Sequence, residues 1–150
     1  RSLAGIGDRL GPARGPSQRG GLEPLSARRH SEGGSTPLKD SLVYVRHILD
    51  SARRIEEYTR TGRKAFDAST QIQDAVIRNL EIIGEAAKQA PDSLRRKHPK
   101  IPWKGMAGMR DKLIHHYFGV DLALVWAVVE KDIPLMLARM DAILKAEESK

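Results

Sequence analysis

The chain contains no cysteine. That excludes disulfides, thiolate zinc sites and a cysteine nucleophile, and it is compatible with a reducing, cytoplasmic compartment. Long apolar runs are missing too. The longest, Leu122 to Val129, covers eight residues, against the roughly 20 that a membrane-spanning helix needs. A soluble protein is expected. No Gly-rich phosphate loop, G-x-S-x-G elbow or dinucleotide fingerprint occurs, so the common motif-defined enzyme classes lose support. No strand-like alternation and no internal repeat are visible.

Residues 1–38 also lack an apolar period. They hold six arginines, three acids and no lysine, among repeated Gly, Pro and Ser. Such a stretch cannot bury enough surface to offset its ordering entropy, so it reads as a disordered leader. It has no 7–15-residue apolar run of the secretory type, and its acids, glycines and prolines argue against a transit peptide. Residues 39–150 can build a single modest core. They carry +4 of the chain's formal +7. That balance favours a polyanionic partner or an acidic protein.

What the chain does have is helical periodicity. Asp40 or Ser41 can cap a helix in which Leu42, Val45, Leu49 and Ala52 share a stripe widened by Ile48 and Ile55. It runs to about Arg60 and is stopped by Thr61-Gly62. Asp67 is placed to cap a second helix carrying Ile72, Val76, Leu80, Ile83, Ala87 and Ala90, ended by Pro91. Four Pro or Gly positions between 91 and 105 leave room for one turn, 92–97, and Trp103 is expected to plug the bundle end. A third helix is expected from Trp103 or Lys104 to about Tyr117, with Met106, Met109 and Leu113 inward. Asp121 can cap a fourth, whose Leu122, Trp126, Val129, Ile133, Met136, Met140 and Ile143 keep 4-3 spacing, with Pro134 kinking it. The spacing predicts an all-α fold: an antiparallel four-helix bundle with a kinked last helix.

Chemistry concentrates in Arg110, His115, His116 and Tyr117, inside eight residues. Arginine offers a permanent planar cation for phosphate oxygens, and histidine can take or give a proton near neutrality. Together they suit phosphodiester cleavage without a metal. A neutral His115 would accept the 2′-hydroxyl proton, a protonated histidine would assist the leaving 5′-oxygen, and Arg110 would stabilise the pentacoordinate phosphate. DNA lacks that hydroxyl, so RNA is the expected substrate. The plainer alternative is a solvated basic helix end. Arg110 and His115 are five apart, about 140° on an ideal helix, so convergence needs either a break in the helix or a two-fold pairing of chains. Lys104, Lys112, His116 and the Arg95-Arg96-Lys97 run are candidate RNA contacts. Only one of His115 and His116 can face inward. His47 and His98 are isolated, and Glu81 with Glu85 lacks a third ligand, so no metal and no cofactor are expected.

Arg110-x4-His115-x-Tyr117 resembles the R-x4-H-x-Y motif of the HepT-like toxins, a branch of the HEPN superfamily. Further segments carry the likeness: 78–86, Pro99-Lys100-Ile101-Pro102-Trp103, Met109-Arg110-Asp111 and 116–121. It covers about residues 38–145. The resemblance implies a HEPN bundle, residues 39–150, that dimerises to form a metal-independent ribonuclease groove. It implies catalytic roles for Arg110 and His115. It also implies that Tyr117 is adenylylated, and the toxin silenced, by a minimal nucleotidyltransferase antitoxin. The alternative within the resemblance is a non-catalytic substrate-binding helper of a nucleotidyltransferase.

Overall fold

A computed structural model describes residues 38–115 and 119–149; of Leu38, Lys39, Arg110, Ile114 and His115 it describes the backbone alone. The leader expected over 1–38 lies outside the described residues, except for Leu38, which already begins a helix.

Helix α1 is Leu38–Tyr58, and its Leu42, Val45, Ile48, Leu49, Ala52 and Ile55 are buried. It starts earlier than Asp40, which lies in the first turn instead of capping it. After α1 the chain turns through Gly62, whose φ of 98° lies in the left-handed region that glycine tolerates without a Cβ penalty. A short helix α2, Arg63–Ala68, follows, with Phe66 buried. That extra turn moves the next helix start from Asp67 to Ser69, whose side chain accepts from Ile72 N at 3.1 Å. Asp67 instead pairs with Arg63 along α2 at 3.5 Å. Helix α3 is Thr70–Gln89, with Val76, Leu80, Ile83 and Ala87 in the core. It packs along α1.

The proline-rich stretch holds one helical turn, α4, Asp92–Lys97. Trp103 is 5% exposed and its indole N–H donates to His98 O at 3.0 Å, so it closes the bundle end as expected. The third helix is shorter than its sequence suggests. It comprises α5, Trp103–Ala107, and α6, Met109–Leu113, with Met106, Met109 and Leu113 inward. The α5 backbone comes close to α3: a Cβ built on Gly84 would stand 3.2 Å from Met106 O.

Beyond Leu113 the backbone leaves the helix. Strands β1, Ile114–His115, and β2, Gly119–Val120, pair antiparallel with Ile114 opposite Val120 and His115 opposite Gly119. Asp121 N donates to Leu113 O at 3.2 Å, so the carbonyl that a longer helix would use inward is taken by the returning chain. Gly119, at φ 78°, permits that return. This small ladder has no alternating apolar pattern behind it and was not expected from the sequence.

Asp121 caps helix α7, Leu122–Ala127, accepting from Leu124 N at 3.0 Å. The last helix then passes through a π-helical turn, Val128–Asp132, into α8, Ile133–Glu148. Pro134 lies in the first turn of α8. Proline lacks an N–H and its ring collides with the carbonyl four residues back, so an α-helix cannot run through it undistorted. The π turn is where the ladder changes. Because it holds one residue more than an α turn, the buried face upstream falls one residue early. Val125 and Val128 are fully buried; of the residues predicted inward, Val129 is also buried, while Leu122 and Trp126 are half-buried. Downstream, Ile133, Met136, Met140 and Ile143 are buried as the spacing predicts. α8 packs along α1, and an exposed Arg46–Glu148 contact of 2.8 Å joins them. The result is an all-α bundle: α1, α3, the α5–α6 pair and the jointed last helix. Among the described residues no helix is long and apolar enough to cross a membrane.

Candidate functional site

The motif segment lies where the bundle's regularity stops. Arg110 belongs to α6, one residue after buried Met109, and α6 packs against α3. His115 belongs to β1 and pairs with Gly119. The two residues therefore do not share one helix, and the 140° separation of an ideal helix does not govern them. The break comes at Leu113, earlier than the Phe118-Gly119 position expected from the sequence. His116 and Tyr117 lie outside the described residues.

A separate wall is built by α4 and α5: the end of α4 meets Glu147 near the C-terminal end of the last helix, whereas the motif segment returns to that helix's N-terminal start at Asp121. Arg95 and Arg96 of the basic run and Lys104, all candidate RNA contacts, line a single groove of about 710 Å3, together with Trp103, Pro99 and Pro102. They are not equivalent there. The Arg95 Nη2 donates to Ala87 O at 3.0 Å and Lys88 O at 2.7 Å, so this guanidinium completes the C-terminal end of α3. Helix ends leave carbonyls unpaired, and a cation there also meets the negative end of the helix dipole. Arg96 and Lys104 are exposed at the groove. Lys112, half-buried on α6, is engaged within the fold.

The remaining member of the basic run, Lys97, points elsewhere. Its Nζ lies 2.6 Å from Glu147 Oε1, whose side chain is only 6% exposed. The His98 Nε2 stands 3.6 Å from the same oxygen, within Coulomb reach but too long for a hydrogen bond. Thus His98, isolated in sequence, belongs to a cluster joining the end of α4 to the end of α8. No local signal marks it, since Glu147 is remote along the chain. Among the described residues no cluster of three potential metal ligands exists, and Glu85 accepts a hydrogen bond from Gln89 at 2.8 Å.

A second groove, of about 550 Å3, lies between the end of α1 and the last helix, with Trp126 and Val129 beside Arg53, Arg60 and four further charged or polar residues. Phe66 of α2 backs it, its ring centroid 5.3 Å from that of Trp126.

A helical bundle with a basic outer wall and an R-x4-H-x-Y segment at its break defines the class: a HEPN-type domain. The family model described as "Ribonuclease HepT-like" matches residues 48–143, and the chain belongs to the HepT-like ribonuclease family. It is 47% identical over 103 residues to a "Probable ribonuclease HepT" of Thermococcus cleftensis, covering 68% of this chain and 94% of that one. It is 41% identical over 112 residues to a "Putative RNase" of Caldanaerobacter subterraneus subsp. tengcongensis, covering 74% of this chain and all of the relative. A "Gamma-glutamylcyclotransferase and putative RNase" of Methanocaldococcus jannaschii is 52% identical over 111 residues, 73% of this chain. The matched region spans about half of that relative, 49%. No solved structure matches the chain significantly.

Proposed function

We propose that this protein is a metal-independent endoribonuclease and the toxin of a toxin–antitoxin pair. The observation that carries the reading is the intact Arg110-x4-His115-x-Tyr117 segment inside a chain matched over residues 48–143 by the ribonuclease family. The break at Leu113, which takes His115 off the helix that bears Arg110, supports it further.

In this reading the substrate's own 2′-hydroxyl is the nucleophile. His115 removes its proton as the oxygen attacks phosphorus, and Arg110 stabilises the charge that accumulates on the phosphoryl oxygens. The 5′-oxygen leaves with a proton from a second histidine, and a 2′,3′-cyclic phosphate remains. Two copies related by a two-fold axis would supply the second histidine, because a two-fold interface sets a patch against its own copy. His116 and Lys112 lie next to this chemistry in sequence and would steer the strand. Tyr117 is the control point: a nucleotidyltransferase antitoxin adenylylates its hydroxyl, and the added phosphate occupies the groove near Arg110. The pair would act in the cytoplasm, with no cofactor.

The test is cleavage of RNA by the purified chain in EDTA, beside His115→Ala. Cleavage that survives chelation, vanishes in the variant and leaves cyclic phosphate ends is the expected result. Silence from the wild type, with Tyr117 shown unmodified by mass, would sink the nuclease and favour the nucleotidyltransferase helper.

A further inference from the structure

We propose that the groove between α4 and α5 is an anchoring subsite for the backbone of a single-stranded RNA, remote from the scissile bond. It rests on the ribonuclease reading and adds to it a second contact region, a strand state and a minimum substrate length.

Three observations meet there. First, the fold brings together cations that the sequence separates: Arg95 and Arg96 from α4, and Lys104 from the first turn of α5. Asp92 is the one carboxylate on the same lining, so positive charge dominates.

Second, the cations have divided their work. Lys97, next in the run, is held by Glu147, and Arg95 is held by the α3 carbonyls. The Arg95 bonds lock α4 against α3, which fixes where Arg96 projects. The side chains of Arg96 and Lys104 make no hydrogen bond or ion pair with a described residue, and both residues are exposed. Exposed cations of this kind, fixed at their backbones, suit phosphate oxygens, with Arg96 able to bind bidentately. Arg95 is a positioning residue; Arg96 and Lys104 are the contacts.

Third, the groove is not purely polar. Pro99 is exposed and Pro102 half-buried at its edge, over a floor of buried Ile101 and Trp103. The Trp103 bond to His98 O keeps that floor rigid. An apolar edge beside phosphate-binding cations accepts the face of an unstacked base, which a single strand offers and a duplex conceals. A plain acidic peptide has the charge but not the flat apolar face.

Lys104 and Arg110 are six residues apart on α5 and α6, roughly 9 Å along the axis and about 120° around it at helical geometry. A strand held at Arg96 and Lys104 therefore has to curve around the third helix, over several nucleotides, to reach the Arg110 segment of the same chain. Dinucleotides are too short to touch both.

The experiment uses the full chain and compares Arg96→Gln/Lys104→Gln with wild type. Arg53→Gln/Arg60→Gln, at the other groove, removes the same charge and serves as control. Binding of a 20-nucleotide unstructured RNA is measured from about 50 to 200 mM salt, and cleavage of that RNA is compared with cleavage of a dinucleotide. Losing two phosphate contacts lowers the salt slope by about 1.4, so the affinity lost across that range shrinks about sevenfold. The control pair keeps the wild-type slope. For the anchor-site pair, kcat/KM on the long RNA falls about tenfold more than on the dinucleotide. The proposal is overturned if both pairs reduce the slope equally, if the anchor-site pair leaves it unchanged, or if polyglutamate of equal charge competes as well as RNA. Failure of the wild type to cleave either substrate would strike the nuclease reading, while the slope would still decide the anchor. Arg95→Lys, which keeps the charge but loses the bonds to α3, is expected to weaken long-RNA binding. If it behaves as wild type, Arg95 has no positioning role.

Discussion

The two halves of this bundle are built differently. In the first, α1 and α3 run 21 and 20 residues without interruption and face each other with continuous apolar stripes. In the second, a comparable length of chain is divided among α5, α6, two dipeptide strands, α7, a π turn and α8. The residues suited to chemistry lie in the divided half. Regular helices give a rigid wall because every interior backbone group is satisfied locally. Breaks release backbone groups and redirect side chains, which is what a site needs and a wall does not. Here the unbroken half holds the broken half in place.

That contrast can be tested by substitution in each half. The largest effect belongs to the wall. Leu80 is 1% exposed in the middle of α3, and Leu80→Ala should destabilise the protein by about 3 kcal/mol, read from urea or thermal unfolding. A loss under about 1 kcal/mol would mean that the wall is looser than its burial indicates.

Where the halves touch, α3 carries Gly84. Adding a methyl helps the isolated helix by roughly 1 kcal/mol, but its Cβ would meet the Met106 carbonyl at 3.2 Å. Backbone on both sides leaves little room to give, and overpacking costs about 1–3 kcal/mol. Gly84→Ala should therefore show a net loss of about 1 kcal/mol, and Gly84→Val more. Stabilisation by Gly84→Ala would show that α5 can back away from the wall.

Caps separate the halves in a different way. Ser69→Ala and Asp121→Ala each remove a single side-chain bond to a helix N–H, at 3.1 and 3.0 Å, and each should cost about 1 kcal/mol. Only the second also sits on the chain returning from the strand pair. Under the ribonuclease reading Asp121→Ala should reduce RNA cleavage beyond its stability cost, whereas Ser69→Ala should not. Equal activity in both would erase the proposed distinction between wall and site. The smallest effect is expected at Arg46→Gln. Its ion pair with Glu148 is about half exposed at each side chain, and such pairs contribute at most about 1 kcal/mol.

The same contrast explains what could be read from the amino-acid order. Helices α1 and α3 were legible because their apolar spacing and their stops, Gly62 and Pro91, are local. The shift from Asp67 to Ser69 was not, because it depends on whether Phe66 is drawn into the core. The end of the third helix was missed because the deciding bond, Asp121 N to Leu113 O, joins residues eight apart across a turn. Likewise the 4-3 spacing of the last helix assumes one uniform period, which holds at Val129 and from Ile133 onward but not at Leu122 and Trp126. At the candidate site, residue identities were legible and their distribution over a helix and a strand was not. Grouping of Arg95, Arg96 and Lys104 in one groove, with Arg95 tied to α3, also required the fold. Sequence adjacency alone would have put Lys97 with them.

The π turn at Val128–Asp132 also bears on how this protein can change in length. A helix interior normally tolerates no loss of a residue, because everything beyond the loss swings by about 100°. Here the chain already carries one surplus residue between two faces that are each correctly buried. Deleting exposed Glu130 or Lys131 would remove that surplus residue and leave Val125 and Val128 facing the core, with the distortion that Pro134 imposes taken up elsewhere in the first turn of α8. A helix shorter by one residue at this point is thus compatible with the same buried faces.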